Sequence, residues 1–252
     1  MADRLEKRRL NGAGKRSRKG WSVAQRVWII LLGAALAVLF SAVALAHRPD
    51  AIGGTFDGPA EAVRVTDPDI SQVVYGDMPV ARPSLWVGIA VAAATDLYVQ
   101  LGVPAIERLR TFRPQMAIVG PGLPSLALPF AVPSGMGGIL VVTSSVADGA
   151  FLHEPVTNTD SWVLGEASVH VFAAGTYYVV VWSSSIVDGK AWVAVGQREA
   201  FGWKDIMTLP KTINAVRAFH EVGLDLRLVT TGKLLFLVAV AFAIAGLVRL
   251  QP

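Results

Sequence analysis

The sequence predicts a mainly β protein: an antiparallel sandwich of the jelly-roll or immunoglobulin-like kind, flanked by N- and C-terminal transmembrane helices, with a short amphipathic helix before the second. Three observations predict it. Apolar runs stand near both ends, at residues 27–46 and 234–248. Between them, dense Gly and Pro punctuation separates short segments rich in Val, Ile, Tyr and Trp, which is strand composition. After residue 201 the apolar spacing lengthens to three and four residues, the period of a helix.

The first apolar run is 20 uncharged residues. At a rise of about 1.5 Å per residue, a helix of that length spans the roughly 30 Å of bilayer hydrocarbon. Residues 1–26 hold nine Lys or Arg against Asp3 and Glu6, a balance of +7, whereas the whole chain carries +4. The positive charge therefore belongs to the tail. It predicts a cytoplasmic N-terminus lying against anionic headgroups, with the chain after Ala46 outside the membrane. It gives no support to a nucleic-acid-binding domain, even though the isoelectric point is about 9.6. Ala44, Leu45 and Ala46 also have the small-x-small pattern of a signal-peptidase site, so the same run reads as a signal-anchor or as a cleaved signal.

The second run has 15 residues between Lys233 and Arg249. Snorkelling of Lys233 extends it to a span over residues 228–250. A mean hydropathy of +0.49 exceeds the need of a soluble domain, which fits two lipid-facing segments. Cysteine is absent, which excludes disulfides, thiolate metal sites, a cysteine nucleophile and a lipobox anchor.

Between these runs the reading is a linker over 47–60, a sandwich over 61–202, and an amphipathic helical region over 203–227. Candidate strands are 61–65, 72–75, 84–91, 96–103, 115–119, 138–143, 161–173, 176–183 and 190–196. In 84–91, Leu85, Val87, Ile89 and Val91 alternate and so face the core. Residues 92–95 read as a hairpin turn into the next strand. Ile206, Leu209, Ile213, Val216 and Phe219 place a helix at about 209–222, with Thr208 as its cap and Pro210 in its first turn.

Residues 85–101 (LWVGIAVAAATDLYVQL), 114–122 (PQMAIVGPG), 174–181 (AGTYYVVV) and 190–196 (KAWVAVG) occur in an order that resembles bacterial prepeptidase C-terminal-type domains, small jelly-roll-like modules of secreted proteins. The resemblance covers about 110 residues in separated pieces and implies a fold but no catalytic residue. The flanking apolar runs and residues 201–220 lie outside it. They resemble a membrane-anchored extracytoplasmic protein family.

No HExxH, GxSxG, Walker, GxGxxG or EF-hand pattern occurs. The glycine-rich stretch at 134–138 precedes a strand, whereas a phosphate cradle opens a helix, so it reads as a loop. Cleavage after Ala46 would expose a terminal amine beside the His47 imidazole, a nitrogen pair able to chelate copper(II), with His153, His170 or His220 as further donors. The expected metal ligands, if any, are thus His47, His153 and His170, and copper the alternative to no cofactor. His153–Glu154 and His220–Glu221 are neighbours in sequence, which points their side chains apart on strand or helix. Asp96, Glu154 and Glu166 are isolated candidates for a hydrolase. Trp86, Trp162, Trp182, Trp192 and Trp203 lie in or beside strands and belong to the core, the rim or a binding platform.

The functional expectation is a non-enzymatic module at the cell membrane, its main domain on the extracytoplasmic side. It would touch membrane lipids and bind a protein or glycan partner, or serve as an accessory subunit of a membrane complex. An extracytoplasmic copper-binding protein and a hydrolase are the alternatives.

Overall fold

A computed structural model describes residues 48–144, 149–200 and 203–223, without the side chains of residues 203, 204, 206 and 207. The spans expected at 27–46 and 228–250, and His47, lie outside the described residues. Among the described residues no helix is long and apolar enough to cross a membrane.

The strands are β1 (Arg48–Ile52), β2 (Val63–Val65), β3 (Gln72–Met78), β4 (Ser84–Val91), β5 (Thr95–Pro104), β6 (Gln115–Pro121), β7 (Met136–Val141), β8 (Ala150–Glu154), β9 (Thr159–Val171), β10 (Gly175–Trp182) and β11 (Gly189–Val195). One helix, α1 (Trp203–Phe219), follows them. Two sheets form, in the order β1-β3-β11-β5-β9-β8 and β2-β4-β10-β6-β7. The main core lies between them: Val74, Leu97, Val99, Leu101, Val193 and Val195 come from the six-stranded sheet, and Leu85, Val87, Ile89, Ile118, Val179 and Val181 from the five-stranded one. All are buried, and the alternation that places them inward is the period of two read from the sequence.

The mainly β sandwich-like fold is as expected, but its sheets are mixed rather than antiparallel. β1 pairs with β3, and β2 with β4, in parallel. Both are short edge additions, and β1 arises inside what reads as a linker, its Pro49 being tolerable at an edge. The hairpin expected at 92–95 is also corrected. β4 and β5 lie in different sheets, so the turn arches across the core. β8, a largely exposed edge strand, is an addition to the expected set.

Both outer faces are partly covered. On the five-stranded sheet, Trp86, Val119 and Val180 are capped by Leu128, Phe130 and Val132 of the β6–β7 loop. The glycine-rich stretch expected as a loop is one only at Ser134 and Gly135; Met136, Gly137 and Gly138 open β7 and pair with β6. On the six-stranded sheet, α1 packs by its C-terminal turns, with Val216 and Phe219 buried and Phe219 edge-on to Tyr75 at 5.2 Å.

α1 starts earlier than its sequence pattern suggests, and Pro210 lies inside it rather than in the first turn. Thr208 is therefore no N-cap; its hydroxyl donates to the Asp205 carbonyl at 3.3 Å. The helix ends in a Schellman arrangement. Glu221 N–H donates to Ala218 and Val222 N–H to Arg217, with Glu221 at φ 58, a position that usually takes glycine. Glu221 compensates through side-chain ion pairs with Arg108 and, at 3.1 Å, Lys190. These partners hold its carboxyl at about 2, with the Arg108 hydrogen bond the main cause.

Candidate functional site

Two polar constellations stand out on the six-stranded sheet. The first joins α1 to the sheet. His220 Nδ1 is 2.9 Å from the Val216 carbonyl, which requires the proton on Nδ1 and leaves Nε2 as an acceptor. Ser161 Oγ then donates to Nε2 at 3.1 Å and accepts from Trp192 Nε1 at 3.0 Å. Desolvation by burial is the main cause that pushes the imidazole below its usual range, so it is neutral.

This is the hydrogen-bond polarity of a serine–histidine nucleophile pair, but its surroundings make it a clasp. Ser161 and His220 are 6% and 5% exposed, and both hydrogen-bonding directions of Oγ are used within the protein. The Trp192 ring packs where a Cβ on Gly102 would stand only 2.0 Å from it, which closes the other side.

The clasp has a pH signature. An imidazole whose folded pKa lies below its unfolded value leaves the unfolded state binding more protons, so stability is fully present above about pH 6.5 and falls as pH drops towards the folded pKa. Thermal unfolding from pH 7.5 to 5 is expected to show this decline, and His220→Asn to flatten it. An unchanged slope in the variant would show that other groups set it.

The second constellation is an open strip on the outer face of β5 and β9, where register places Asp96 opposite His170, Tyr98 opposite Ser168 and Gln100 opposite Glu166. Tyr98 OH donates to Glu166 Oε2 at 2.7 Å, and Gln100 Nε2 donates to the same oxygen at 3.0 Å. The two donors lower the Glu166 pKa. Tyr98 is pushed up to about 12, first by burial and then by that carboxylate. Next along β9, His170 Nδ1 lies 2.7 Å from Asp96 Oδ1, and its ring lies edge-on to Phe172 at 4.5 Å. Phe172 is 80% exposed. The strip thus offers fixed acceptors and donors beside a bare aromatic ring.

No protein-family model matches the chain, and no curated protein matches it. Among solved structures, the pre-peptidase C-terminal domain of a collagenase from Bacillus anthracis is similar over 54% of this chain and 96% of that one, with a TM-score of 0.31 and 13% identity. At that level the likeness carries no conclusion about ligand or activity.

Of the predicted histidines, His47 lies outside the described residues, and His153 and His170 stand apart. His153 Nδ1 pairs with Asp160 at 2.7 Å, at the opposite end of β9 from His170. Ten residues of strand separate Asp160 from His170, roughly 30 Å at about 3.3 Å per residue. Among the described residues no group of three His, Asp or Glu converges on a metal position.

The hydrolase candidates are also scattered. Asp96 and Glu166 occupy separate rungs of the strip, and Glu154 stands on β8, its pKa raised chiefly by burial. Of the tryptophans, Trp86 and Trp192 are buried under the outer-face covers, Trp182 is partly buried beside Trp86, and Trp162 is partly buried against the main core. The Trp203 side chain lies outside the described set. Sequence reasoning missed Ser161, Arg217, Tyr98 and Gln100. A polar residue at every second position of 96–100 was the one local signal for the strip.

Proposed function

We propose that this chain is a non-enzymatic, membrane-anchored extracytoplasmic module that binds a glycan on the outer strip of β5 and β9. The observation that carries the reading is the Tyr98–Gln100–Glu166 array, whose polar groups are held by one another before any ligand arrives. Such preorganisation lowers the entropy lost on binding. Sugar hydroxyls donate and accept together, which suits carboxylates and an amide side by side, and the Phe172 ring suits the apolar face of a pyranose. The anchoring rests on residues 27–46 and 228–250 and their flanking charges.

Glycan-array binding by the full chain in nanodiscs tests the reading. Gln100→Ala and Glu166→Ala are expected to weaken binding at least about tenfold, equivalent to about 1.4 kcal/mol, while the unfolding midpoint stays nearly constant because both groups are peripheral. A blank array, with crosslinkers placed on the strip capturing a protein instead, would replace the glycan by a protein partner.

A further inference from the structure

We propose that the outer face of the five-stranded sheet holds a second ligand site, a groove between β2 and β10 that takes a single acidic sugar ring with its carboxylate on Arg64. The strip of β5 and β9 lies on the other sheet, so the two sites are independent.

The sequence makes the groove by an alternation of size. Beyond Trp86, the outward positions of β4 are Gly88 and Ala90, and neither fills the space above its backbone. Register sets Gly88 between Arg64 of β2 and Tyr178 of β10, and Ala90 opposite Thr176. Residues directly opposite one another share a face. The taller side chains therefore wall a low central strand on both sides. With strands about 4.8 Å apart, the walls stand roughly 10 Å from one another, room for one ring. Trp86, edge-on to Tyr178 at 5.6 Å, steadies the second wall. Thr66 completes the polar lining, and the recess has a volume of about 150 Å³. That is below the roughly 300 Å³ at which sites for drug-sized ligands begin, which limits the occupant to a small molecule.

Charge selects an acid. Arg64 is the one charged residue of the lining, and among the described residues it makes no hydrogen bond or ion pair. The acids of the neighbouring segments are directed elsewhere. Asp57 and Glu61 pair with Arg82, and Asp67 with Arg198. Asp69 stands where the chain has reached the six-stranded sheet, its carbonyl accepting from Arg198 N–H at 2.8 Å. A free guanidinium fork matches a carboxylate through two parallel hydrogen bonds. The hydroxyls of Thr66, Thr176 and Tyr178 are likewise without a partner among the described residues. Each both donates and accepts, which suits the hydroxyls of a sugar, while the Tyr178 ring suits its apolar flank.

Ligand-observed NMR titration of the full chain in zwitterionic nanodiscs tests the site, with D-glucuronate, D-glucose, acetate and inorganic phosphate as probes. D-Glucuronate is expected to bind at least about tenfold more tightly than the other three. Arg64→Ala should weaken it at least about tenfold, and Arg64→Lys, which keeps the charge but not the fork, should recover only part of the loss. Gly88→Ala is the second variant. A Cβ there would stand 3.4 Å from the Tyr178 ring and 3.7 Å from the Ala62 Cβ, ordinary contact distances. The added methyl thus raises the floor of the groove, and it should weaken D-glucuronate with the unfolding midpoint unchanged.

No saturable binding of D-glucuronate overturns the inference. Binding that survives both Arg64→Ala and Gly88→Ala also overturns it, and its loss in Gln100→Ala would then place the sugar on the strip. Inorganic phosphate that binds as tightly as D-glucuronate overturns it in favour of a plain anion site. The glycan reading of the strip stands or falls separately, because Gln100→Ala and Glu166→Ala leave this groove untouched.

Discussion

Tyr177→Ala is expected to cost about 3–5 kcal/mol, the range for removing a large aromatic side chain from a packed core. Tyr177 is completely buried in the main core. Its ring lies on Gly120, where a Cβ would stand 2.0 Å from the ring edge, and its hydroxyl is 3.0 Å from the carbonyls of both Pro121 and Ala173. Deleting the side chain opens a cavity and leaves those two carbonyls without their donor. Tyr177→Phe keeps the ring and isolates the second effect, expected at about 1–3 kcal/mol. Gly120→Ala forces the ring out of place, an overpacking cost of typically about 1–3 kcal/mol. Because both changes act on one contact, Gly120→Ala should cost far less in a Tyr177→Ala background. Urea unfolding of the four species checks this, and strict additivity would refute the ring-on-glycine contact.

Arg217→Ala is expected to undock the end of α1 and to destabilise the domain by about 1.5–3 kcal/mol, the range for hydrogen bonds made by a charged group. Arg217 is 4% exposed. Its guanidinium donates to the Thr157 carbonyl at 2.7 Å, to Asn158 at 3.1 Å and to Gly223 at 2.6 Å. It thereby bolts the end of the helix to the turn between β8 and β9. Every partner is a neutral carbonyl, and a planar fork reaches all three at once. Lysine cannot, so Arg217→Lys should recover only part of the loss. Hydrogen exchange read along α1 and the β8–β9 turn is the measurement. Protection lost in both segments together is the expected pattern, and loss confined to the helix would mean that the turn stands without the bolt.

The fold was legible where burial is one-sided. β4 falls on residues 84–91 as expected, because Leu85, Val87, Ile89 and Val91 all face one core. The chain reversal after β4 was legible as well, but not its consequence. Residues 92–95 turn the chain whether the next strand pairs with the last or crosses to the facing sheet, and both strands show the same alternation in either case. β1 and β8 were illegible for a different reason. They bury little, and backbone hydrogen bonding to a neighbour leaves no periodic trace.

The helix start was misread through Pro210. Proline is tolerated at a first turn and costly in an interior, so the proline drew the boundary to itself, while the helix extends back to Trp203. The candidate site was legible only in part. The strip on β5 alternates as Asp96, Tyr98 and Gln100, yet its partner Glu166 is fixed by strand register across 66 residues. Ser161 and His220 meet across 59 residues, and no local spacing encodes such a pair. Arg217 read as an ordinary cation near a helix end because its partners are backbone carbonyls, which no side-chain pattern reports.

The parallel pairing of β1 with β3 decides how the domain answers to a pull. Arg48 stands beside Gln72, at the start of β3, whereas Gly223 is held by Arg217 at the other end of the sandwich. Tension drawn between these two exits runs along β1 rather than across it. The ladder to β3 is then loaded in shear, with its hydrogen bonds sharing the force, instead of being opened one rung at a time like a zipper. A five-residue edge strand that looks dispensable by burial is thereby the mechanical clamp of the domain.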